Sequence, residues 1–484
     1  MTLLLISLAV LIGGYFVYGL IAEKIFGIDP SRDMPARTRA DGIDFIEMPT
    51  WKVFLVQFLN IAGLGPIFGA IMGAMFGPAC FIWIVAGTIF GGAVHDFISA
   101  MMSVRSGGDS LPELVGRELG PVIKQLLRVV SLVLLILVGA VFVVTPASLL
   151  AGMTPEWMTP VFWIGAIFLY YILATLLPVD KLIGRFYPIF GFALLFMAVS
   201  LLVVLFTGGH PLPDGISDGL WNRHPEADTH PLFPMMFVSI ACGAISGFHA
   251  TQSPMMARCL KNERLARPVF YGAMVAEGIV ALIWAAAAIS FTGGYPELAG
   301  YMKSHEGAGA LVTDISVSWL GAVGGFLALL GVIAAPITTG DTALRSARLI
   351  AADMLGVGQS RLVKRLLVSL PIFAAAFGLM LIDFNVLWRY FAWTNQTLAA
   401  FTLWACTVYL ARHGKLYVIT LVPALFMTLV VVSYILVAPS PEGFGFDMSV
   451  AVAAAAVVDL LCAGFFVRYE VLRRRGALIH DVAY

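Results

Sequence analysis

Asn60-Ile61-Ala62-Gly63-Leu64-Gly65-Pro66-Ile67-Phe68-Gly69-Ala70 interrupts an apolar run that extends from Val53 to Met75. A membrane-crossing helix should be most regular at its middle, yet this middle carries three glycines, a proline and an asparagine. Pro66 has no backbone N–H, and its ring clashes with the carbonyl four residues back. Glycine permits backbone geometry that other residues avoid. Backbone left unpaired at membrane depth is tolerated only where protein or a water-filled cavity surrounds it. Two readings follow. The stretch is a small-residue helix contact of the GxxxG kind, or it is a broken helix at the midplane, the usual construction of a transporter's binding site. The density of breakers favours the second.

Composition sets the surroundings of that break. The chain has 484 residues, 60% of them hydrophobic and 12% charged, with a mean hydropathy of +0.93. Apolar runs of about 20 residues recur from end to end, each long enough to cross a hydrocarbon core. This is the composition of an all-α, polytopic membrane protein embedded in a lipid bilayer. The formal net charge is zero, so nothing points to nucleic acid. The first run, Leu3 to Ala22, lacks a preceding basic region and a small-residue cleavage site, and is read as a retained helix. Cys80, Cys242, Cys259, Cys406 and Cys462 are scattered without ligand spacing and are read as small buried residues. No cofactor is implied.

The length rule gives about thirteen spans. Basic residues then collect on alternate connections, and the other connections hold only Arg223, Lys303 and Arg389 of the 29 Lys and Arg. The asymmetry predicts an extracytoplasmic N-terminus and a cytoplasmic C-terminus. The loop from Gly208 to His230 carries His210, His224 and His230, and reads as a solvated loop before it reads as a metal site.

A second breaker-rich span runs Cys242-Gly243-Ala244-Ile245-Ser246-Gly247-Phe248-His249-Ala250-Thr251-Gln252-Ser253-Pro254. Five spans separate it from the first, so the charge alternation gives the two breaks opposite directions. Paired interruptions at corresponding positions of two halves point to a transporter site. The organisation is a five-plus-five inverted repeat of the amino acid–polyamine–cation superfamily, LeuT-like, with discontinuous first and sixth repeat helices. Residues 1–50 form an extra helix and linker, 51–207 the first repeat and 208–232 the long loop. Residues 233–411 form the inverted repeat, and 412–484 two accessory helices with a basic tail.

Long motifs add a resemblance. MPTWKVFLVQFLNIAGLGPIFGAIMGAMFGPACFIWIV (48–85), FGGAVHDFISAMMSVRSGGDSLPELVGRELG (90–120), VSIACGAISGFHATQSPMMARCLKNERLARPVFYGAMVAEGIVALIWAA (238–286), PITTGDTALRSARLI (336–350) and NVLWRYFAWTNQTLAA (385–400) carry it. The chain resembles the carbon starvation protein A family of bacterial inner-membrane proteins over most of residues 1–411. Many members of that family extend further at the C-terminus. The resemblance implies a plasma-membrane uptake carrier for peptides and for pyruvate, made when carbon is scarce, and driven by H+ or Na+. It is compatible with a homo-oligomer.

Within that frame the residues take roles. The half-helix starting near Gly65 would turn free N–H groups and its positive dipole end toward an anionic substrate group. Asn60, Gly63 and Gly65 would cradle a carboxylate, and Ser246, Gly247, His249, Thr251 and Gln252 would read the remainder. His249 could titrate near neutral pH, or be a neutral packing histidine. Ala335, Thr338 and Thr339 resemble the carbonyl and paired hydroxyls with which sodium-coupled relatives hold a cation. The partner carbonyls would come from the first broken helix, near Phe58, Leu59 and Ala62. Oxygen ligands suit a hard cation, although threonine in a helix usually bonds the preceding turn.

Ionisable residues inside spans are costly and usually functional. His95, Asp96 and Glu277 are candidates for a proton relay. Asp341 and Arg345, with Arg105, are candidates for an inner-gate ion-pair network. Adjacent helical residues point about 100° apart, so His95 and Asp96 need not pair with each other and could reach different partners, such as Arg345 or Arg348. Asp383 and Asp459 read as structural. In Trp388-Arg389-Tyr390-Phe391-Ala392-Trp393-Thr394-Asn395-Gln396 the aromatics read as interfacial anchors or an outer gate, and Asn395 as a substrate contact. No GxxxxGK[ST] loop is present, so ATP does not drive the process within this chain. A channel would favour rings from symmetric subunits. An intramembrane enzyme finds no HExxH or GxSxG. The reading is therefore a secondary active transporter and not an enzyme.

Overall fold

Apolar segments at membrane depth must pair every backbone group internally, and this chain does so with helices. The computed structural model describes residues 1–42, 44–176, 179–212, 219–305, 307–359, 361–382, 384–440 and 442–475. Asp383 and the loop residues 213–218 lie outside the described residues.

The helices, in order, begin with α1 (Thr2–Phe26), α2 (Thr50–Ile61), α3 (Gly65–Ala74) and α4 (Ala79–Arg105). Next come α5 (Leu111–Leu119), α6 (Pro121–Met153), α7 (Pro160–Leu176) and α8 (Val179–Thr207). The second broken segment comprises α9, an irregular run over 232–244, and α10 (Gly247–Ala257). The remainder are α11 (Glu263–Thr292), α12 (Tyr295–Ser304), α13 (Ala308–Leu355), α14 (Leu362–Leu379), α15 (Phe384–Arg412), α16 (Val418–Val437) and α17 (Met448–Arg474). Among the described residues nine helices are long and apolar enough to cross a membrane, or ten with the bent pair α2–α3 as one span. The other expected spans fall on the shorter α7, on the interrupted α9–α10 and on α15.

The interior is built around the broken segments. α2 packs on α8, α10 and α11; α4 packs on α10; α6 and α8 both pack on α13. α1 and α17 are peripheral, with 33% and 17% of their apolar windows buried. α13 departs from the expected span over 312–340. It has a kink at Gly321, whose φ of 67° is left-handed, and it continues to Leu355. The continuation is packed inside protein, so Asp341, Arg345 and Arg348 are buried and do not lie at a membrane surface.

Candidate functional site

The first break follows from its sequence. α2 ends at Ile61, the chain turns through Ala62, Gly63 and Leu64, and α3 leaves at 55° with Pro66 in its first turn. Pro66 has no N–H to continue the ladder. The Leu59 carbonyl, freed by the turn, accepts from the Thr339 hydroxyl at 2.9 Å. A Cβ on Gly65 would fall 1.9 Å from the Cys242 Cβ, so only glycine lets the two broken segments meet here. The space beside Gly63 is filled by the Phe142 ring. The expected carboxylate cradle at Gly63 and Gly65 is therefore closed by protein side chains in this conformation. Asn60 is fully buried beside it, and among the described residues both polar atoms of its amide lack a hydrogen-bond partner.

The second break is more complete. α9 ends at Ala244, Ile245 and Ser246 are extended, and α10 restarts at Gly247. Neighbouring helices satisfy the unwound backbone. Gln396 donates to the Ile245 carbonyl (3.1 Å), and Thr88 to that of Gly243 (3.2 Å). The Asn395 side-chain oxygen accepts from the Phe248 N–H (2.7 Å) and from the Ser246 hydroxyl (3.0 Å). Asn395 thus caps α10 from another helix, in place of the substrate contact expected for it. A Cβ on Gly247 would lie 2.3 Å from the Ala399 nitrogen, which is why glycine stands where α10 and α15 touch. Thr251 and Gln252 are also engaged internally: Thr251 donates to the Phe248 carbonyl, and Gln252 to the hydroxyls of Thr251 and Ser346.

Two residues past this break, His249 joins a buried chain of titratable groups. His95 Nδ1 lies 2.8 Å from Asp96 Oδ1, and His249 Nδ1 lies 3.0 Å from Asp96 Oδ2. His249 Nε2 faces Glu277 Oε2 at 3.5 Å. All four side chains are fully buried. His95 and Asp96 pair with each other, and the contacts of Asp96 run to His95 and His249 and not to Arg345 or Arg348. The two oxygens of one carboxylate diverge, so Asp96 serves its sequence neighbour and α10 together. A wide π-helical turn, Gly87–Gly92, precedes them in α4, and such turns recur at functional sites.

Asp96 thus stands between two imidazoles, and the donor and acceptor roles of their ring nitrogens follow the tautomer. His249 Nε2 and Glu277 face each other without a hydrogen bond between them.

A different chemistry occupies the corner between α2 and α13. The Thr339 hydroxyl lies 2.9 Å from the carbonyls of both Leu59 and Ala335. Thr338 donates to the Ala335 carbonyl at 2.8 Å. No direct bond from Ala62 to this corner accompanies them; its N–H continues α2 by donating to the Phe58 carbonyl. Pro336 cannot continue the α13 ladder, and tyrosines from scaffold helices secure the carbonyls around it. The Tyr171 hydroxyl lies within hydrogen-bond distance of the carbonyls of Pro336 (3.2 Å) and Phe142 (3.0 Å). Tyr187 lies 3.0 Å from the Thr338 carbonyl and 2.8 Å from Asp341 Oδ2.

The two ends of the molecule differ. A cavity of about 520 Å³ opens toward the end that carries Lys303 and Arg389, with Phe68 and Trp388 among its lining. The Phe68 and Trp388 ring centroids are 6.1 Å apart, Trp388 and Phe391 5.4 Å, and Phe391 and Phe142 5.7 Å. These rings form a plug from the cavity down to Gly63. Trp388 is 7% exposed, so it belongs to this plug, whereas Tyr390 is 38% exposed.

The basic end is sealed. Buried Glu263 accepts from Arg105 at 3.1 and 3.2 Å and from the Asp29 N–H at 2.6 Å. Asp44 lies 3.9 Å from Arg345, whose guanidinium also donates to the Ala174 carbonyl at 2.5 Å. Arg105 therefore belongs to a Glu263 cluster, apart from Asp341 and Arg345, which interact through their charges on α13. The connection after α1 ties this end together.

Several residues here carried no signal in sequence. Phe142, Tyr171 and Tyr187 look like ordinary apolar-helix aromatics. Glu263 lies just outside an apolar run, next to Arg264, and reads as a solvated charge. His224 and His230 stack at 4.5 Å, with Phe76 5.0 Å from His224. Burial lowers the pKa of both loop imidazoles. Among the described residues no group of His, Cys, Asp or Glu suits a metal ion.

Known proteins share this construction. The sequence model of the family described as carbon starvation protein CstA matches residues 1–164, 156–323 and 292–434. An uncharacterized membrane protein of Haemophilus influenzae is 44% identical over 330 residues, covering 58% of this chain and 89% of the relative. The Escherichia coli peptide transporter CstA is 26% identical over 545 residues, covering 84% of this chain and 76% of that protein. The E. coli pyruvate/proton symporter BtsT is 29% identical over 343 residues, covering 57% of this chain and 47% of the symporter. Two solved structures share the fold. MhsT in complex with L-phenylalanine has a TM-score of 0.57 at 15% identity, covering 86% of this chain and 99% of that one. The Eremococcus coleocola manganese transporter has a TM-score of 0.53 at 12% identity, covering 90% and 99%. With its two broken helices, its helical architecture and its family match, this chain is a multi-pass membrane protein of the carbon starvation protein CstA family, built on the LeuT-like inverted-repeat fold.

Proposed function

We propose that this chain is a proton-coupled secondary carrier that imports small carboxylate-bearing nutrients, peptides or pyruvate, by alternating access around its two breaks. The observation that carries the reading is the position of His249. It stands two residues past the second break and faces Glu277 at 3.5 Å, while Asp96 ties it to His95 on α4. A rearrangement at the break changes the His249–Glu277 distance, and with it the hold on the proton. The names of the relatives, a peptide transporter and a pyruvate/proton symporter, agree with that substrate class and that ion.

In this reading the basic end faces the cytoplasm and the 520 Å³ cavity faces outward. Residues 51–207 and 233–411 are the two repeats that move against each other. Substrate passes the aromatic plug when Phe142 swings off Gly63. Its carboxylate then meets the unpartnered amide of Asn60 and the N-terminal N–H groups of α3. Proton binding at His249–Glu277 accompanies loading, and release follows when the Glu263 and Asp44 contacts at the basic end open.

A second reading concerns the ion. One hydroxyl hydrogen cannot fully serve two carbonyls, yet Thr339 Oγ1 lies 2.9 Å from both Leu59 and Ala335. A sodium ion would draw the same oxygens together. Uptake of radiolabelled dialanine and pyruvate into proteoliposomes, under imposed pH or Na+ gradients in turn, separates the two. Accumulation under the pH gradient alone is expected, and accumulation under neither gradient removes the carrier mechanism.

A further inference from the structure

The outward cavity has a chemistry of its own. Its volume of about 520 Å³ falls among ordinary ligand pockets of roughly 300–1,000 Å³, and is generous for a three-carbon acid. Met72, Leu149, Met153 and Met302 give it apolar walls. Asp314 is the one ionisable residue among the described lining residues, which include no Lys, Arg or His. One Asp314 oxygen, Oδ2, accepts from the Tyr301 hydroxyl, and Tyr301 is itself stacked on His305 at 3.9 Å. The other oxygen is free to take a donor from the cavity. A small anion would find no counter-charge here and would meet a carboxylate of its own sign. An ammonium group would find a partner.

We propose that this vestibule is a binding site for a short zwitterionic peptide, with its α-ammonium on Asp314 and its apolar side chains against the methionine and leucine wall. The peptide waits there above the Phe68–Trp388 plug, so Asp314 is a specificity-determining residue. This rests on the uptake reading above and sharpens it: of the two substrate classes, the cavity selects the one with an amino end.

The test uses the full chain in proteoliposomes and in detergent, with radiolabelled dialanine as the probe. N-acetyl-dialanine and pyruvate serve as competitors. A charge-assisted hydrogen bond of about 1.5 kcal/mol corresponds to roughly a tenfold change in affinity. N-acetyl-dialanine should therefore compete about tenfold more weakly than dialanine itself. Asp314→Asn should raise KM for dialanine by about tenfold at unchanged kcat, and should erase the penalty on the acetylated peptide. Tyr301→Phe keeps the carboxylate and should keep the discrimination. Asp314 is solvent-exposed, so its replacement leaves the fold intact. Equal competition by the acetylated peptide in the unaltered chain, or discrimination that persists in Asp314→Asn, overturns the proposal. Saturable dialanine binding that Asp314→Asn weakens, in a chain that shows no gradient-driven uptake, supports the site and removes the carrier reading. Uptake without discrimination does the reverse.

Discussion

Two buried polar regions flank the breaks, and they are made of different material. The corner at Leu59, Ala335, Thr338 and Thr339 is built of neutral oxygens that bond one another. Its nearest carboxylate, Asp341, is held by Tyr187 and lies one helical turn from Arg345. The chain His95–Asp96–His249–Glu277 is built of groups that exchange protons, and its last contact is a long 3.5 Å. The corner joins α2 to α13. The chain joins α4, α10 and α11, so it spans elements on both sides of the second break. A neutral corner of hydroxyls and carbonyls holds helices in register or holds a hard cation. A titratable chain with one loose link can take up a proton in one arrangement and release it in another. On the proposed reading, this difference places the driving proton on the chain.

The strongest way to break that assignment is Glu277→Gln. A pH difference of one unit is worth about 1.36 kcal/mol per proton, or roughly tenfold accumulation. The substitution should reduce that tenfold ratio to unity in proteoliposomes while exchange of internal for external substrate continues. Next in size is Asn395→Ala. It leaves the Phe248 N–H and the Ser246 hydroxyl unpaired, at a cost of about 1–3 kcal/mol each. Lower thermal stability in detergent and slower uptake should appear together, because α10 loses the cap that positions His249. Thr339→Val should cost about 1 kcal/mol through the lost bond to the Leu59 carbonyl. Proton-driven accumulation should survive it. If uptake in the unaltered chain proves sodium-dependent and Thr339→Val removes the dependence, the roles of the two regions are reversed.

The smallest expected effect is a control away from both regions. Glu118, on α5 at the basic end, is pushed up from its ordinary 4.5 to about 7 by burial, which outweighs the pull of the Arg412 and Arg117 charges. A carboxyl raised in this way binds its proton more tightly folded than unfolded. Its packing is firmest below pH 4.5 and weakens as pH rises toward 7. Glu118→Gln should flatten that part of the thermal-stability profile between those limits and leave the pH profile of uptake unchanged.

The breaks were legible because glycine and proline act on their own backbone, and no tertiary information is needed to see that 60–70 and 242–254 do not form one uninterrupted helix each. The family was legible from long motifs. The partners of the polar residues were not. His249 and Glu277 lie 28 positions apart, and nothing in either segment says that the two side chains face each other. The pairing of His95 with Asp96 was not legible either, because a carboxylate has two oxygens and can turn one back to its neighbour. Asn395 has a polar side chain at membrane depth, which pointed to substrate, but its oxygen is used by the backbone of α10. The closure of Gly63 and Gly65 depends on Phe142 and Cys242, two residues with nothing unusual in their local sequence.

The most direct test is substrate accumulation in proteoliposomes under an inside-alkaline pH gradient without sodium, comparing the unaltered chain with His249→Gln and Glu277→Gln. Accumulation by the unaltered chain, with both variants reduced to sodium-independent exchange without accumulation, is the expected result. Accumulation that needs a sodium gradient, or that persists undiminished in both variants, would contradict the assignment of proton coupling to His249 and Glu277.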